Sequence, residues 1–204
     1  MEILKWVLVI FLGYALGNFN GALMTSKLLM KDDVRSHGSG NAGLTNFFRT
    51  YGGIKTLLVI AIDVLKCVLA CLIAKWLLPE YGIGAQMVAG AAAILGHSYP
   101  AASQFRGGKG ILCGAALAAM TDWRVFLIIF VVFVVTVALT RYISLGSILA
   151  CVGFGIGILV FHWGDWLTCI AAVTAAAFAI WRHHTNIERL LKGTESKFSF
   201  HKKK

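Results

Sequence analysis

Charged residues are scarce in this 204-residue chain, at 14% against 58% hydrophobic, and its mean hydropathy is +0.78. A soluble domain carries about a quarter charged residues, so the composition excludes an ordinary globular protein and points to an integral membrane protein. Acidic residues are the scarcest: nine against 19 Lys and Arg. They form no aspartate cluster of the kind that holds a catalytic divalent metal, as a lipid phosphotransferase would need. Five cysteines (Cys67, Cys71, Cys113, Cys151 and Cys169) all lie in apolar runs, are odd in number and form no C-x-x-C pair. That pattern excludes a disulfide framework or a zinc site. Familiar catalytic signatures are missing too. There is no G-x-S-x-G elbow and no H-E-x-x-H; Ser103 stands where a Walker loop needs its first glycine before Gly108-Lys109. No H-x-x-x-x-D pair occurs, although His183 and Glu188 come near that spacing. No internal repeat of fixed period is found, so 1–204 reads as one domain.

Apolar runs are what remains, at about 3–24, 54–78, 83–95, 111–120, 124–139, 145–161 and 166–180. A membrane crossing needs about 20 apolar residues, and the expected architecture is all-α, a bundle of seven transmembrane helices with cytoplasmic motif loops. No small-residue cleavage site follows the first run, which is expected to be a retained span. The fourth run is short for a crossing, which places the preceding Gly-Gly-Lys-Gly turn in a polar recess. Asp63 and Lys66 share one face of the second span and are expected to pair inside the bundle. The fifth run is rich in Val and Phe all round, as suits a lipid-facing helix, and Gly153, Gly155 and Gly157 in the sixth allow close packing.

The net charge of +10 finds its explanation in topology rather than nucleic acid. With a cytoplasmic C-terminus, Lys27, Lys31, Arg35, Arg49, Lys55, Arg106, Lys109, Arg141, Arg182, Arg189, Lys192, Lys197 and Lys202 to Lys204 all fall on one side. The other side keeps Lys5, Lys75 and Arg124 beside Glu2, Glu80, Asp122 and Asp165. Trp6, Trp76, Trp123, Trp163 and Trp166 fall at that outer boundary, and the N-terminus is expected outside.

The same topology gathers four polar segments on the basic face. The first, 35–49, is punctuated by Gly38, Gly40 and Gly43, with Ser39, Asn41, Thr45 and Asn46 as short donors between Arg35 and Arg49. Glycines let successive backbone N–H groups converge, so this is a place for an anion, most simply a phosphate. The others are the turn at 105–110 with Lys109, the corner at 141–147, and the segment 182–189 with His183, His184 and Asn186. Taken singly, each cation can be a snorkelling side chain; together on one face they suit more than one phosphate group.

Gly38-Ser39-Gly40-Asn41-Ala42-Gly43-Leu44-Thr45-Asn46 with Arg49, Gly96-His97 with Pro100 and Phe105-x-Gly107-Gly108-Lys109-Gly110, and His183-x-x-Asn186-Ile187-x-Arg189-Leu190 with Gly193 and Glu195 carry a resemblance. They resemble the three motifs of the bacterial acyl-phosphate:glycerol-3-phosphate acyltransferase (PlsY) family, and Arg141-Tyr142-x-Ser144-Leu145-x-Ser147 is similar to a fourth segment. The resemblance implies a multi-pass enzyme of the bacterial inner membrane that acylates the 1-hydroxyl of glycerol 3-phosphate, from acyl phosphate, to give lysophosphatidic acid. By carry-over Ser39, Arg49 and Lys109 hold the acceptor's phosphate; Thr45, Asn46 and Ser147 line the donor's phosphate site; His183 and Asn186 orient the reacting hydroxyl. Gly38, Gly40, Asn41, Gly107, Gly108, Ser144 and His97 complete the substrate-binding set. Membrane lipids and an acyl-phosphate-producing enzyme are the partners implied. Acyl phosphate is already activated and its leaving phosphate is a base, so the expected reaction needs no covalent intermediate, metal or cofactor. The chain departs from the family at Asn18-Phe19-Asn20, where Ser-Ile-Pro is usual, at Leu112-Cys113, where Ala-Thr is common, and at Cys67, where glycine is common. These bear on helix packing and acyl-chain preference more than on reaction type.

The rival class is a transporter or channel for phosphorylated metabolites, but such proteins place their sites at the midplane between repeats. The expected sidedness is checked by impermeant thiol reagents in intact cells. A cysteine beside Lys204 should be shielded and one beside Glu80 should react; the reverse pattern overturns the assignment.

Overall fold

A computed structural model describes residues 1–199. Lys202 to Lys204, which the charge asymmetry counted and beside which the shielded cysteine was placed, lie outside the described residues. Helices account for all the regular structure among them: α1 (Glu2–Gly17), α2 (Gly21–Thr25), α3 (Leu44–Thr50), α4 (Thr56–Leu77), α5 (Gly82–Ser98), α6 (Ile111–Thr121), α7 (Trp123–Thr140), α8 (Ile143–Phe161), α9 (Trp166–Trp181) and α10 (His184–Leu191), with short 3₁₀ and π turns between.

The apolar runs become helices because a helix satisfies its backbone hydrogen bonds within one segment, without water. Asp122 caps α7 by accepting from Arg124 N at 2.9 Å, and Asp165 caps α9 by accepting from Thr168 N at 3.1 Å. By length and composition four segments can cross a membrane: Glu2–Met30, Thr56–Leu77, Trp123–Thr140 and Ile143–Phe161. The pair α9 and α10, bent by 54°, makes a fifth. The expectation of seven is met only in part at this level, because α5 has 17 residues and α6 only 11. At a rise of about 1.5 Å per residue α6 is about 16 Å long, half the hydrocarbon thickness.

The first run is not one continuous helix. It breaks at Asn18 to Asn20, where Asn20 caps α2 by accepting from Leu23 N at 3.0 Å. Asp63 and Lys66 do pair, at 2.8 Å and almost wholly buried, and the ammonium also reaches the carbonyls of Gly17 and Phe19 at that break. Helix α7 fully buries only Val125 and Ile129 and leaves Leu127, Phe130, Val131, Val135 and Leu139 exposed, as a lipid-facing helix should. Of the four glycines in α8, Gly146 and Gly157 are closely approached, with Val137 Cγ2 at 2.9 Å and Val125 Cγ1 at 3.1 Å from where a Cβ would stand; Gly153 and Gly155 have ordinary 3.6 Å room.

One end of the bundle gathers Glu2 against Tyr81, Lys5 against Glu80 at 4.0 Å, and Asp122 against His162 at 2.9 Å. The polar loops collect at the other end. Helices α1 and α5 cross so closely that a Cβ on Gly96 would stand 3.0 Å from Gly17 Cα and collide with the Tyr14 carbonyl. Gly96→Val should therefore destabilise by about 1–3 kcal/mol, the usual cost of overpacking. Gly114→Ala, whose nearest neighbour lies 4.0 Å away, should be neutral or stabilising. Thermal unfolding in detergent checks the pair.

Candidate active site

The loop between Asp33 and Gly43 is closed by one side chain. Asn46, on α3, accepts from Ser39 N at 3.0 Å and donates to the carbonyls of Val34 and His37 at 2.9 and 3.0 Å. Gly38, at φ +56°, leaves the space that the Asn46 amide oxygen fills. Arg35 ties this loop to the next: it holds Asp33 at 2.6 Å and donates to the carbonyls of Ser103 and Arg106 at 3.0 and 3.1 Å.

The second loop, 99–110, packs against the end of α5. Gly107 N donates to Ser98 O and Gly108 N to His97 O, both at 3.1 Å. Pro100 Cδ and Ser98 O crowd Gly107, and Ala42 O stands 2.7 Å from where a Cβ on Gly108 would be. These glycines thus serve close packing. In the first loop the amides of Ser39 and Gly40, which were expected to join a convergence on an anion, are spent on Asn46 and on His37 O, and those of Gly107 and Gly108 in the second are spent on the carbonyls of Ser98 and His97. Arg182, at the end of α9, braces the same loop, donating to Gly108 O and Tyr99 OH at 3.0 Å while its guanidinium lies 4.6 Å over the Tyr99 ring.

Between the two loops and α10 lies an open cleft of about 630 Å³. Five cations line it: Arg35, Arg106, Lys109, Arg182 and Arg189. Asp33 compensates Arg35, and Glu195 compensates Arg189 at 2.7 Å, which leaves Arg106, Lys109 and Arg182 without a carboxylate partner among the described residues. An excess of fixed positive charge in a cleft suits an anion. Burial, reinforced by the charge of Arg189, pushes the Lys109 ammonium down to about 8. Its present acceptor is Asn186 Oδ1.

Behind the cleft Glu195 acts as a hub. It accepts from Ser144 Oγ at 2.6 Å, Asn186 Nδ2 at 2.7 Å and Arg189 Nε at 2.7 Å. Burial raises a carboxyl's pKa, but these bonds outweigh it and hold Glu195 below its usual value. His183 is buried, with Nδ1 at 2.8 Å from Ala179 O. A carbonyl only accepts, so Nδ1 carries the proton and Nε2 is left as an acceptor. Burial, aided by Lys109 and Arg182, pushes its imidazole down to about 4 and keeps it neutral.

Of the residues expected from sequence, Ser39, Gly40, Asn41, Gly107 and Lys109 line the cleft. Asn186 touches it through Lys109, and Ser144 only through Glu195. Gly38 and Asn46 shape the first loop. Thr45 sits half-buried on α3; Ser147 is buried and donates to Ile143 O at 2.9 Å. Arg49 is not among the lining residues and instead donates to Ser196 O at 3.2 Å. His97 is buried against Lys66 and Asp63, away from the cleft wall. Sequence reasoning set Arg35 at the edge of the anion loop and placed the 182–189 segment and the 105–110 turn on the same basic face, but named none of Arg35, Arg106, Arg182 and Arg189 as a binding residue. It quoted Glu195 without giving it a role, though a lone acid in a basic tail was a signal.

A family model described as glycerol-3-phosphate acyltransferase matches residues 7–193. The chain belongs to the glycerol-3-phosphate acyltransferase family. A relative from Thermoanaerobacter pseudethanolicus called glycerol-3-phosphate acyltransferase is 40% identical over 191 residues, 94% of each chain. One from Listeria monocytogenes with the same name is 34% identical over 194 residues, covering 95% of this chain and 97% of the relative. Crystal structures of PlsY, an integral membrane glycerol 3-phosphate acyltransferase, match in two forms. The glycerol 3-phosphate form has a TM-score of 0.87 at 32% identity, covering 95% of this chain and 96% of that one. The lysophosphatidic acid form has a TM-score of 0.84 at 31% identity, covering 95% of each. This is an all-helical integral membrane protein of a bacterial acyltransferase family.

Lys109 generates the test of the cleft. Above pH 7 a phosphate monoester, with a second pKa of about 6, is already a dianion, so the lysine alone changes charge as pH passes through about 8. It is charged below that value and neutral above it. The KM for glycerol 3-phosphate should therefore rise between pH 7 and 9, and Lys109→Arg should flatten the rise. Lys109→Ala should cost about 2–3 kcal/mol in kcat/KM. A flat wild-type KM over that range counts against direct phosphate contact.

Proposed function

We propose that this protein transfers an acyl group from acyl phosphate to the 1-hydroxyl of glycerol 3-phosphate, releasing phosphate and lysophosphatidic acid at the cytoplasmic face of the bacterial inner membrane. The observation that carries the reading is the cleft at one end of the bundle, where Arg106, Lys109 and Arg182 line the wall with no carboxylate partner among the described residues. Seven membrane segments, with α1 and α2 forming one broken span and α4 to α9 the rest, place the N-terminus outside and the C-terminus inside. The charge asymmetry of the loops supports that orientation. An acyl-phosphate-producing enzyme is the partner that supplies the donor.

The reaction proceeds without a covalent intermediate. No cysteine lines the cleft, and Ser36 Oγ is committed to Asp33 O at 2.7 Å. Among the described residues no hydrogen bond joins Ser36, Ser39 or Thr185 of the cleft to an imidazole or carboxylate, which supports a reaction without an enzyme nucleophile. The acceptor's hydroxyl attacks the donor carbonyl; the new ester bond forms as the bond to phosphate breaks, and the proton passes to the leaving phosphate. Lys109 and its neighbours neutralise the phosphates and hold the reactants together, which replaces a bimolecular encounter with a fixed geometry. His183, neutral with Nε2 free to accept, orients the hydroxyl, while Asn186 is held in place by Glu195.

Purified protein given labelled glycerol 3-phosphate should make labelled lysophosphatidic acid from acyl phosphate alone. Product from acyl-CoA or acyl carrier protein, with none from acyl phosphate, overturns the donor assignment. If His183 only accepts a hydrogen bond, His183→Gln should keep activity within about tenfold of wild type, the worth of one hydrogen bond. The wild-type rate profile should then lack a histidine limb near pH 4, the value to which burial pushes this imidazole. A general base contributes about 10²- to 10⁴-fold, so a loss of that size in the glutamine variant, with a limb that the variant removes, makes His183 the base.

A further inference from the structure

The cleft does not use the most deeply buried charges in the protein. Asp63 and Lys66 lie in the middle of α4 with side chains 1% and 3% exposed. Lys66 Nζ stands 2.8 Å from Asp63 Oδ1, 2.7 Å from His97 Nδ1, 3.0 Å from Phe19 O and 3.3 Å from Gly17 O. Asp63 Oδ1 also accepts from Gly21 N at 3.0 Å. Asp63, His97 and Cys113 have ligand atoms within 4.8 Å of one another, but the ammonium already sits against two of them, so the cluster does not suit a metal ion. An ammonium has donors only. His97 Nδ1 must therefore accept from it, and the ring proton is on Nε2.

That imidazole reaches further than the cluster. Its Nε2 edge lies where a side chain on Gly108 would stand, and its backbone carbonyl accepts from Gly108 N at 3.1 Å. Gly108 is thus held from two sides by one residue, immediately before Lys109. Asn20, at the α1–α2 break that Lys66 satisfies, donates to Ala42 O at 3.0 Å and toward His97 O at 3.4 Å. The buried cluster therefore touches the backbone of both polar loops. A pin that only stabilised the break between α1 and α2 would need none of these contacts.

We propose that Asp63 and Lys66 orient the imidazole of His97, and that His97 is a positioning residue that sets the Gly108-Lys109 turn against the first loop in the arrangement that receives the phosphate of glycerol 3-phosphate. The inference rests on the functional reading above only in taking glycerol 3-phosphate as the ligand of the cleft. A substrate contact by His97 is not involved.

The test compares KM and kcat per folded molecule. His97→Ala should raise the KM for glycerol 3-phosphate about tenfold, the scale of one lost orienting bond, and change kcat at saturation much less. His97→Gln, whose amide reaches the Nε2 position, should recover most of that loss. The matched variant Asp63→Asn with Lys66→Met removes the orienting pair without leaving a lone buried charge, and it should raise KM to a similar degree. Adding His97→Ala to it should add little, because both act through one ring, whereas adding Lys109→Ala should add its full effect. Unchanged KM in folded His97→Ala protein, or no recovery with glutamine, overturns the proposal. Additive losses between the pair and His97 overturn it too. If the matched variant does not fold, the two His97 variants decide alone. Wild-type turnover with acyl phosphate separately tests the donor; should another donor be used, or none, the same variants are read by glycerol 3-phosphate binding in calorimetry.

Discussion

A lysine ammonium surrounded by carbonyl groups is the interaction on which this structure turns. The chain interrupts its first membrane segment at Asn18 to Asn20, which strips backbone carbonyls of helical partners in a region where water cannot replace them. Lys66 supplies donors to Gly17 and Phe19, and Asp63 balances its charge while accepting from Gly21. Removing either partner alone strands the other charge in a dry interior, the costly way to break a buried pair. With the break stabilised, α2 and the first polar loop can fold back over α4 and α5, where the second loop waits.

The cleft above follows a complementary rule. Two of its cations are held by uncharged acceptors alone, Arg182 by Gly108 O and Lys109 by Asn186, and Arg35 adds the carbonyls of Ser103 and Arg106 to its pair with Asp33. Neutral acceptors fix a cation's position without cancelling its charge, so the field is preserved for a ligand. The two carboxylates that are present, Asp33 and Glu195, each sit on one arginine and organise structure around it. Glu195 in particular links α8 to α10 through Ser144, Asn186 and Arg189, joining segments that are distant in sequence.

Much of this was legible in the residues. The apolar runs predicted the helices to within a few positions, the Asp63 and Lys66 spacing predicted their pairing, and the glycine-rich motifs marked both loops of the cleft. What was not legible depended on three-dimensional neighbours. Nothing in the spacing of Gly107 and Gly108 tells whether their N–H groups face a ligand or the end of α5, and the structure turns them to the helix. Arg49 looks like a phosphate ligand from its motif but meets Ser196, 147 residues later in the chain. The break in the first helix was invisible to hydropathy because Asn18 and Asn20 flank an apolar Phe19, and a window average passes over a defect that one buried lysine corrects.

Confinement of the cleft to one end of the bundle has a consequence for the membrane itself. On the proposed function, the product's acyl chain is left in the half of the bilayer on that side. Lipid built from it starts in one monolayer and not the other, so the far monolayer is supplied only by a separate process that carries lipids across.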